Sequence, residues 1–233
     1  MRCVIMQPTY LPWAGCFNLM AMADFFVFLD DVQFEKQSWQ NRNRILLNGQ
    51  PHWLTVPVKR NHLSDKIKDI IVDDQHNWRN KHLELLRHTY ARHPYASEML
   101  EHVSHSLKCS TSQLSDLNTS FIRSTAKLLN LNPNFVYSSE LDIHGARSER
   151  LLKICNHLGC NRYLSPRGSA DYLAEDAVFD NSNVELEFQN FDPQPYYQRG
   201  EPSFVSHLSI VDVLANLGKT LTREYVIGST LIE

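Results

Sequence analysis

Residues 1–31 read MRCVIMQPTYLPWAGCFNLMAMADFFVFLDD, and the order of segments inside this stretch decides the fold class. RCVIM (2–6) is a short apolar run that suits a buried strand. A stiff loop with two prolines, QPTYLPWAG (7–15), follows it. Residues 17–24 can form a helix with Leu19, Met20 and Ala23 on one side. FFVFL (25–29) is a second run of strand length, ending at the acidic pair Asp30 and Asp31. Strand, loop, helix, strand is a βαβ unit, which favours a parallel sheet with a right-handed crossover.

Working outward, RILLNGQPHWLTVPV (44–58) reads as a hairpin. Asn48-Gly49 tolerates positive φ at both central turn positions, and Pro51 fits an edge strand or a longer turn. Residues 67–72 suit another short strand. Residues 78–90 carry Leu83, Leu86 and Tyr90 at helical spacing behind a cap at Asn77. Residues 95–107 and 112–129 continue as helices, the second with a capping-type start at Ser110 to Ser112. Strand and helix then alternate again: 135–138, 148–158, 162–164, 184–189 and 209–217, the last helix ending at Gly218. The expectation is an α/β fold: one domain over residues 1–233, with a mostly parallel sheet and a central helical insertion at about 78–130.

Composition narrows the function classes. The 233 residues are 42% hydrophobic and 21% charged, with a net charge of -3. That balance gives no global case for nucleic acid, which wants a basic domain or stripe. No apolar run reaches the roughly 18 residues of a membrane span, and Gln7, Pro8 and Pro12 interrupt the apolar start. Five cysteines (Cys3, Cys16, Cys109, Cys155, Cys160) form no CxxC pair and read as reduced thiols, so a cytoplasmic location is expected. Eleven scattered histidines form no zinc motif, so no metal site is expected, and no GxSxG is present.

Ligands of open α/β sheets bind beyond the carboxyl ends of the strands. Four loops leave such ends: 7–15, 30–43, 138–147 and 165–171. The first offers Gln7, Tyr10 and Trp13, either as a binding wall or as a stiff turn packing Trp13 into the core. The second, DDVQFEKQSWQNRNR (30–44), is the densest. Asp30 and Asp31 could act as a base or hold a metal. Gln33, Asn41 and Asn43 supply neutral hydrogen bonds, and Trp39 a stacking face. Arg42 and Arg44 suit phosphate or carboxylate. This mixture fits a nucleotide-sugar-sized ligand, although a solvated, turn-rich surface would look similar. In SPRGSADY (165–172), Ser165, Arg167, Gly168 and Asp171 either cradle a phosphate or make a plain strand-to-helix turn. Cys16, at a helix start, is a candidate thiol nucleophile set against simple burial.

QPTYLPWAG, ADFFVFLDDVQFEKQSWQNRNRI, WLTVPV, IVDDQHNWRNKHLELLRHTY, SERLLKICNHLGCNRYLSPRGSADYL and FQNFDPQPYYQRGEPSFVSHLSIVDVLANLG together resemble the WbqC-like family of bacterial proteins, over nearly the whole chain. Cys16 departs from the pattern, where relatives usually carry Tyr, which argues against a family-wide nucleophile there. The resemblance implies a place among surface-polysaccharide and O-antigen proteins. It implies aminoacyl (glycyl included) or acyl transfer to the amine of a nucleotide-linked amino sugar, with an acyl carrier or aminoacyl donor as second partner. It carries motif positions, among them Gln7, Tyr10, Trp13, Asp30, Asp31, Ser165, Ser209 and Asp212, but no catalytic assignment and no cofactor. The opening segments are also similar to the HIGH-motif nucleotidyltransferase and pantothenate-synthetase group, which implies a Rossmann-like, nucleotidyltransferase-like sheet. Those enzymes need a histidine in the first loop, and residues 7–18 hold none. An ATP-dependent ligase or nucleotidyltransferase, and a non-catalytic sugar-nucleotide or carrier-protein binding module, are therefore the competing expectations.

Overall fold

The computed structural model describes residues 1–60, 62–108, 111–199 and 203–228. Cys109 and the Ser110 cap position lie outside these residues. The elements in chain order are β1 (Arg2–Met6), α1 (Ala14–Ala21), β2 (Phe25–Phe28), β3 (Arg42–Leu47), β4 (Gln50–Thr55), β5 (Val58–Lys59), β6 (Ile71–Val72), α2 (Trp78–Tyr90), α3 (Ala96–Leu107), α4 (Leu114–Leu128), β7 (Asn134–Tyr137), α5 (Arg147–His157), β8 (Arg162–Ser165), α6 (Ala170–Asp176), β9 (Glu185–Phe188) and α7 (Ile210–Ile227).

Five strands form one sheet in the order β7-β2-β1-β8-β9, and every pairing is parallel. The chain builds outward from β1 through β2 to β7, then crosses back and builds the other way through β8 to β9. The order therefore reverses between β1 and β8. Because all five strands run the same way, their carboxyl ends share one edge.

β1 is buried on both faces, as a central parallel strand must be. Its side chains alternate between two cores. Val4, with Phe26 and Phe28 of β2, packs on one face against α1, the helices α2 to α4, and α7. Cys3 and Ile5, with Val27, pack on the other face against Leu151 and Ile154 of α5 and Leu173 of α6. The helices between β6 and β7 thus share an apolar core with the sheet.

The βαβ start, the hairpin and the three central helices form where the sequence places them. Asn48 and Gly49 adopt φ of 49° and 77°, the left-handed pair that a tight hairpin turn requires. Three boundaries differ. The first helix begins at Ala14 rather than at residue 17, because backbone contacts at Pro12 and Trp13 start it early. The 67–72 segment is a 3-10 turn at Ile67–Asp69 followed by the two-residue β6, its Ile67 and Ile70 serving as core plugs. The last boundary holds in part: the helix from Ile210 stops at Gly218 as expected, where φ is 66° and ψ 178°, but a second helical stretch follows directly and runs to Ile227, covering the core with Tyr225 and Val226. No helix of the described residues is long and apolar enough to cross a membrane.

Candidate functional site

The loop leaving β1 is fixed from several directions. The Asn43 side-chain amide donates to the carbonyls of Tyr10 (3.0 Å) and Leu11 (2.8 Å). The Asn118 amide donates to Pro8 (3.2 Å), Tyr10 N–H to Trp39 (2.9 Å), and Ile210 N–H to Pro12 (2.8 Å). These contacts hold Leu11 at φ 42°, a conformation that costs a non-glycine residue about 1–2 kcal/mol. Tyr10 is fully buried. Its hydroxyl lies 2.9 Å from Nδ1 of His82, and its ring meets Trp78 edge-on. Burial pushes the His82 imidazole down to about 4, partly opposed by a hydrogen bond with the Thr55 backbone, so the ring is neutral at pH 7.

This rigid loop presents Trp13. The indole stacks on His207 (centroids 4.7 Å apart, 27° between planes), and Phe191 sits on another side at 5.7 Å. The indole also lies over Gly15: a Cβ there would stand 2.1 Å from the ring. Glycine is needed at 15 for this close approach, not for unusual torsion angles. Beside the pair opens a crevice of about 280 Å³. Met6 and Cys16 reach it from β1 and α1, Thr9 and Pro12 from the loop, and Trp39 and Asn43 from the opposite side. Burial pushes the Cys16 thiol up to about 12, so it is no thiolate nucleophile. His207 is exposed at the crevice, with its Nδ1 2.8 Å from the Ser206 hydroxyl.

Trp39 links the crevice to an aromatic and cationic platform. Its ring lies 5.3 Å from that of Trp53, and the two are 47% and 39% exposed. The Arg42 guanidinium lies 4.1 Å over Trp53, and that of Arg44 lies 5.5 Å from Trp39. Nε of both arginines is buried without a hydrogen-bond partner. The hairpin makes this cluster: Arg42 and Arg44 alternate along β3, and Arg44 pairs in register with Trp53 of β4. Gln7 accepts from the Gln40 amide (2.9 Å) behind Trp39. Asn41 donates to the carbonyl of Val56 (3.1 Å) and, like Asn43, is buried in support of the backbone.

The acidic pair after β2 is bound differently. Asp30 is buried and accepts from Ser138 Oγ (3.2 Å), Ser139 N (3.1 Å) and Ser139 Oγ (2.8 Å). Asp31 accepts from Ser138 Oγ (2.5 Å) and pairs with the Arg150 guanidinium (2.5 Å). Burial raises the Asp31 carboxyl, but the Arg150 and Ser138 hydrogen bonds and the Arg150 charge outweigh it and hold it below the ordinary value. These carboxylates join β2 to the segment after β7 and to α5. Neither lines the aromatic crevice. Gln33 is exposed, and its amide donates to Leu63 (2.9 Å), also away from it.

At the end of β8 the loop closes on itself. The Ser165 and Ser169 hydroxyls meet at 2.6 Å, and Ser169 donates to Pro166 (2.6 Å). Arg167 donates to the carbonyl of Gln189 (3.0 Å) and to the Asn190 side chain. Gly168 has open space around it, and Asp171 is exposed in the first turn of α6. The Gln189 amide, in turn, donates to Gly15 (2.8 Å) and Asn18 (2.8 Å), tying the β9 end to the start of α1. Among the described residues no group of three or more His, Cys, Asp or Glu is arranged to hold a metal ion.

The structure therefore gathers Trp13, Trp39, Asn43, Arg42 and Arg44 around one crevice and its rim. It adds His207 and Thr9, which lie inside motif stretches but are not singled out there as site residues. A lone histidine nearly 200 residues from Trp13 carries no periodic signal; only folding makes them neighbours.

The sequence model of the WbqC-like protein family matches residues 7–224. The uncharacterized protein Rv1507c of Mycobacterium tuberculosis is 27% identical over 219 residues, covering 93% of this chain and 94% of that protein. No solved structure matches the chain.

Proposed function

The chain belongs to the WbqC-like protein family, and from that premise we propose that it transfers an aminoacyl or acyl group to the amine of a nucleotide-linked amino sugar held in the β1-end crevice. One observation carries this: an aromatic crevice continuous with an exposed tryptophan–arginine platform lies at the end of β1, the strand at which the sheet order reverses. Numbered within the sheet alone, the order is 3-2-1-4-5, which is that of nucleotide-binding doubly wound sheets, whose ligands sit at this reversal. The Rossmann-like reading rests on that order.

In this reading the sugar packs against Trp13, His207 and Trp39, as pyranose faces do on aromatic rings. The base stacks on Trp53, and Arg42 and Arg44 take the diphosphate, for which a planar guanidinium is suited. An amine attacks only after losing a proton. His207 is positioned to accept it, as the amine nitrogen bonds to the acyl carbon and the donor's leaving group departs with the electrons of the broken bond. This moves the base from Asp30 and Asp31, whose oxygens are occupied, to an imidazole at the crevice. The aspartates support the edge on which the crevice stands.

A second reading has its own support. His207 stands beside the first loop, as the missing histidine of a nucleotidyltransferase would, so ATP-dependent adenylyl transfer is the alternative. Calorimetry decides between them with UDP-, GDP- and dTDP-linked amino sugars set against ATP with Mg²⁺. We expect an amino-sugar nucleotide to bind, Trp39→Ala to weaken it about tenfold, and His207→Ala to keep binding but lose transfer. Binding of ATP alone, with release of pyrophosphate, overturns the acyl-transfer reading.

A further inference from the structure

A larger cavity, of about 730 Å³, lies away from the crevice, between the β3–β4 turn and the end of α2. Leu46, Leu47 and the Asn48-Gly49 turn form one wall. His88, Thr89, Arg92 and His93 come from α2 and the turn after it, and Arg199 reaches in from the segment before α7. Among the described residues no acidic side chain lines it, in a protein whose net charge is -3.

Three observations set this apart from a solvated basic surface. Arg92 and Arg199 make no ion pair among the described residues. The Thr89 hydroxyl, on a residue that lines the cavity, is buried without a hydrogen-bond partner. The end of α2 accounts for only part of the charge: a helix carboxyl terminus carries about half a negative charge, against two full guanidinium charges. Asp212, the carboxylate whose charge acts on His93, is already occupied, accepting from Tyr90 (2.9 Å), Tyr196 (2.6 Å) and Gln198 (3.1 Å).

We infer that this cavity is a second binding site, selective for a diphosphate group, with Arg92 and Arg199 as its clamp and Thr89 as a hydrogen-bonding partner. The volume falls in the range of small-molecule sites and exceeds what one phosphate fills, so the diphosphate belongs either to free pyrophosphate or to a larger ester such as a nucleoside diphosphate. The inference stands whether or not the β1-end crevice binds a sugar nucleotide.

The test is calorimetric titration of the full chain with pyrophosphate and with ADP at low salt. The variants are Arg92→Ala/Arg199→Ala and, as the control for the other arginine pair, Arg42→Ala/Arg44→Ala. All four arginines keep part of their surface in water, so folding is expected to survive, and circular dichroism checks it. Pyrophosphate binding is expected to weaken about a hundredfold in the first double variant, roughly tenfold per charge-assisted clamp. In the second, only binding at the tryptophan platform is lost, and the site that depends on Arg92 and Arg199 keeps its affinity. Thr89→Val weakens it a few-fold, and rising salt weakens it in the wild type. Tighter binding of ADP than of pyrophosphate identifies the ester as the source; equal binding identifies free diphosphate. Absence of pyrophosphate and ADP binding to the wild type, or equal affinity in the Arg92→Ala/Arg199→Ala variant, overturns the inference. So does loss only in the Arg42→Ala/Arg44→Ala variant, which moves the anion to the tryptophan platform.

Discussion

Two strand ends on the same edge of the sheet have opposite chemistry. At the end of β1, hydrogen bonds fix the backbone and leave aromatic and imidazole faces open: Trp13, His207, Trp39. At the end of β2, the polar side chains are themselves the fixings. Asp30 and Asp31 spend their oxygens on Ser138, Ser139 and Arg150. A carboxylate pair in sequence suggests acid–base work, yet a carboxylate that already accepts several hydrogen bonds is a poor base. Availability, rather than residue type, separates the two ends.

The largest effect should come from undoing the β2 end. Arg150→Ala leaves the Asp31 carboxylate half-buried and unpaired, and should cost about 3 kcal/mol in urea unfolding. Ligand affinity per folded molecule should not change. If affinity falls as well, the two ends are not independent.

A similar effect is expected from pH. Between His82's unfolded value and its folded value of about 4, the unfolded chain binds the extra proton. Stability is therefore complete above about pH 6.5 and falls by up to about 3 kcal/mol as pH drops toward 4. Asp31 is also held below its ordinary value, but there folding favours the charged form rather than the neutral one. Its contribution is present above the ordinary carboxylate value and is lost only as pH falls below it toward the lower folded value. The β1 loop should thus loosen at milder acidity than the β2 end. Unfolding curves against pH for wild type and His82→Gln check this, and an unchanged profile in the variant breaks the assignment.

Gly15→Ala comes next. The added methyl displaces the Trp13 indole, at about 2 kcal/mol, and closes or reshapes the crevice. Ligand binding should suffer more than stability, the reverse of Arg150→Ala. The smallest stability effect belongs to Trp39→Ala, within about 0.5 kcal/mol because the ring is exposed. A large stability loss there would make the platform structural.

How much was legible varies by element. RCVIM and FFVF are short apolar runs, and the Asn48-Gly49 turn is a local signal, so strands and hairpin could be read directly. The three central helices show their spacing in the same way. The stop at Gly218 was legible, because glycine is a usual terminator; the helical stretch after it was not, because only the core it covers with Tyr225 and Val226 explains it. Within the site, the first loop was marked by its prolines and tryptophan. Which of its groups face a ligand was not marked: Tyr10 turns inward to His82, and Trp13 toward His207.

The sequence by itself determined the βαβ start, the α/β class and the few loops among which a site must lie, because these follow from local periodicity and turn chemistry; the family came from the resemblance of its motifs. Only the tertiary structure decided that the sheet order reverses between β1 and β8, that Arg150 occupies Asp31, and that His207 meets Trp13. Those outcomes depend on contacts between residues more than a hundred positions apart, and a hydrogen bond or a stacked ring leaves no trace in either partner's neighbouring sequence.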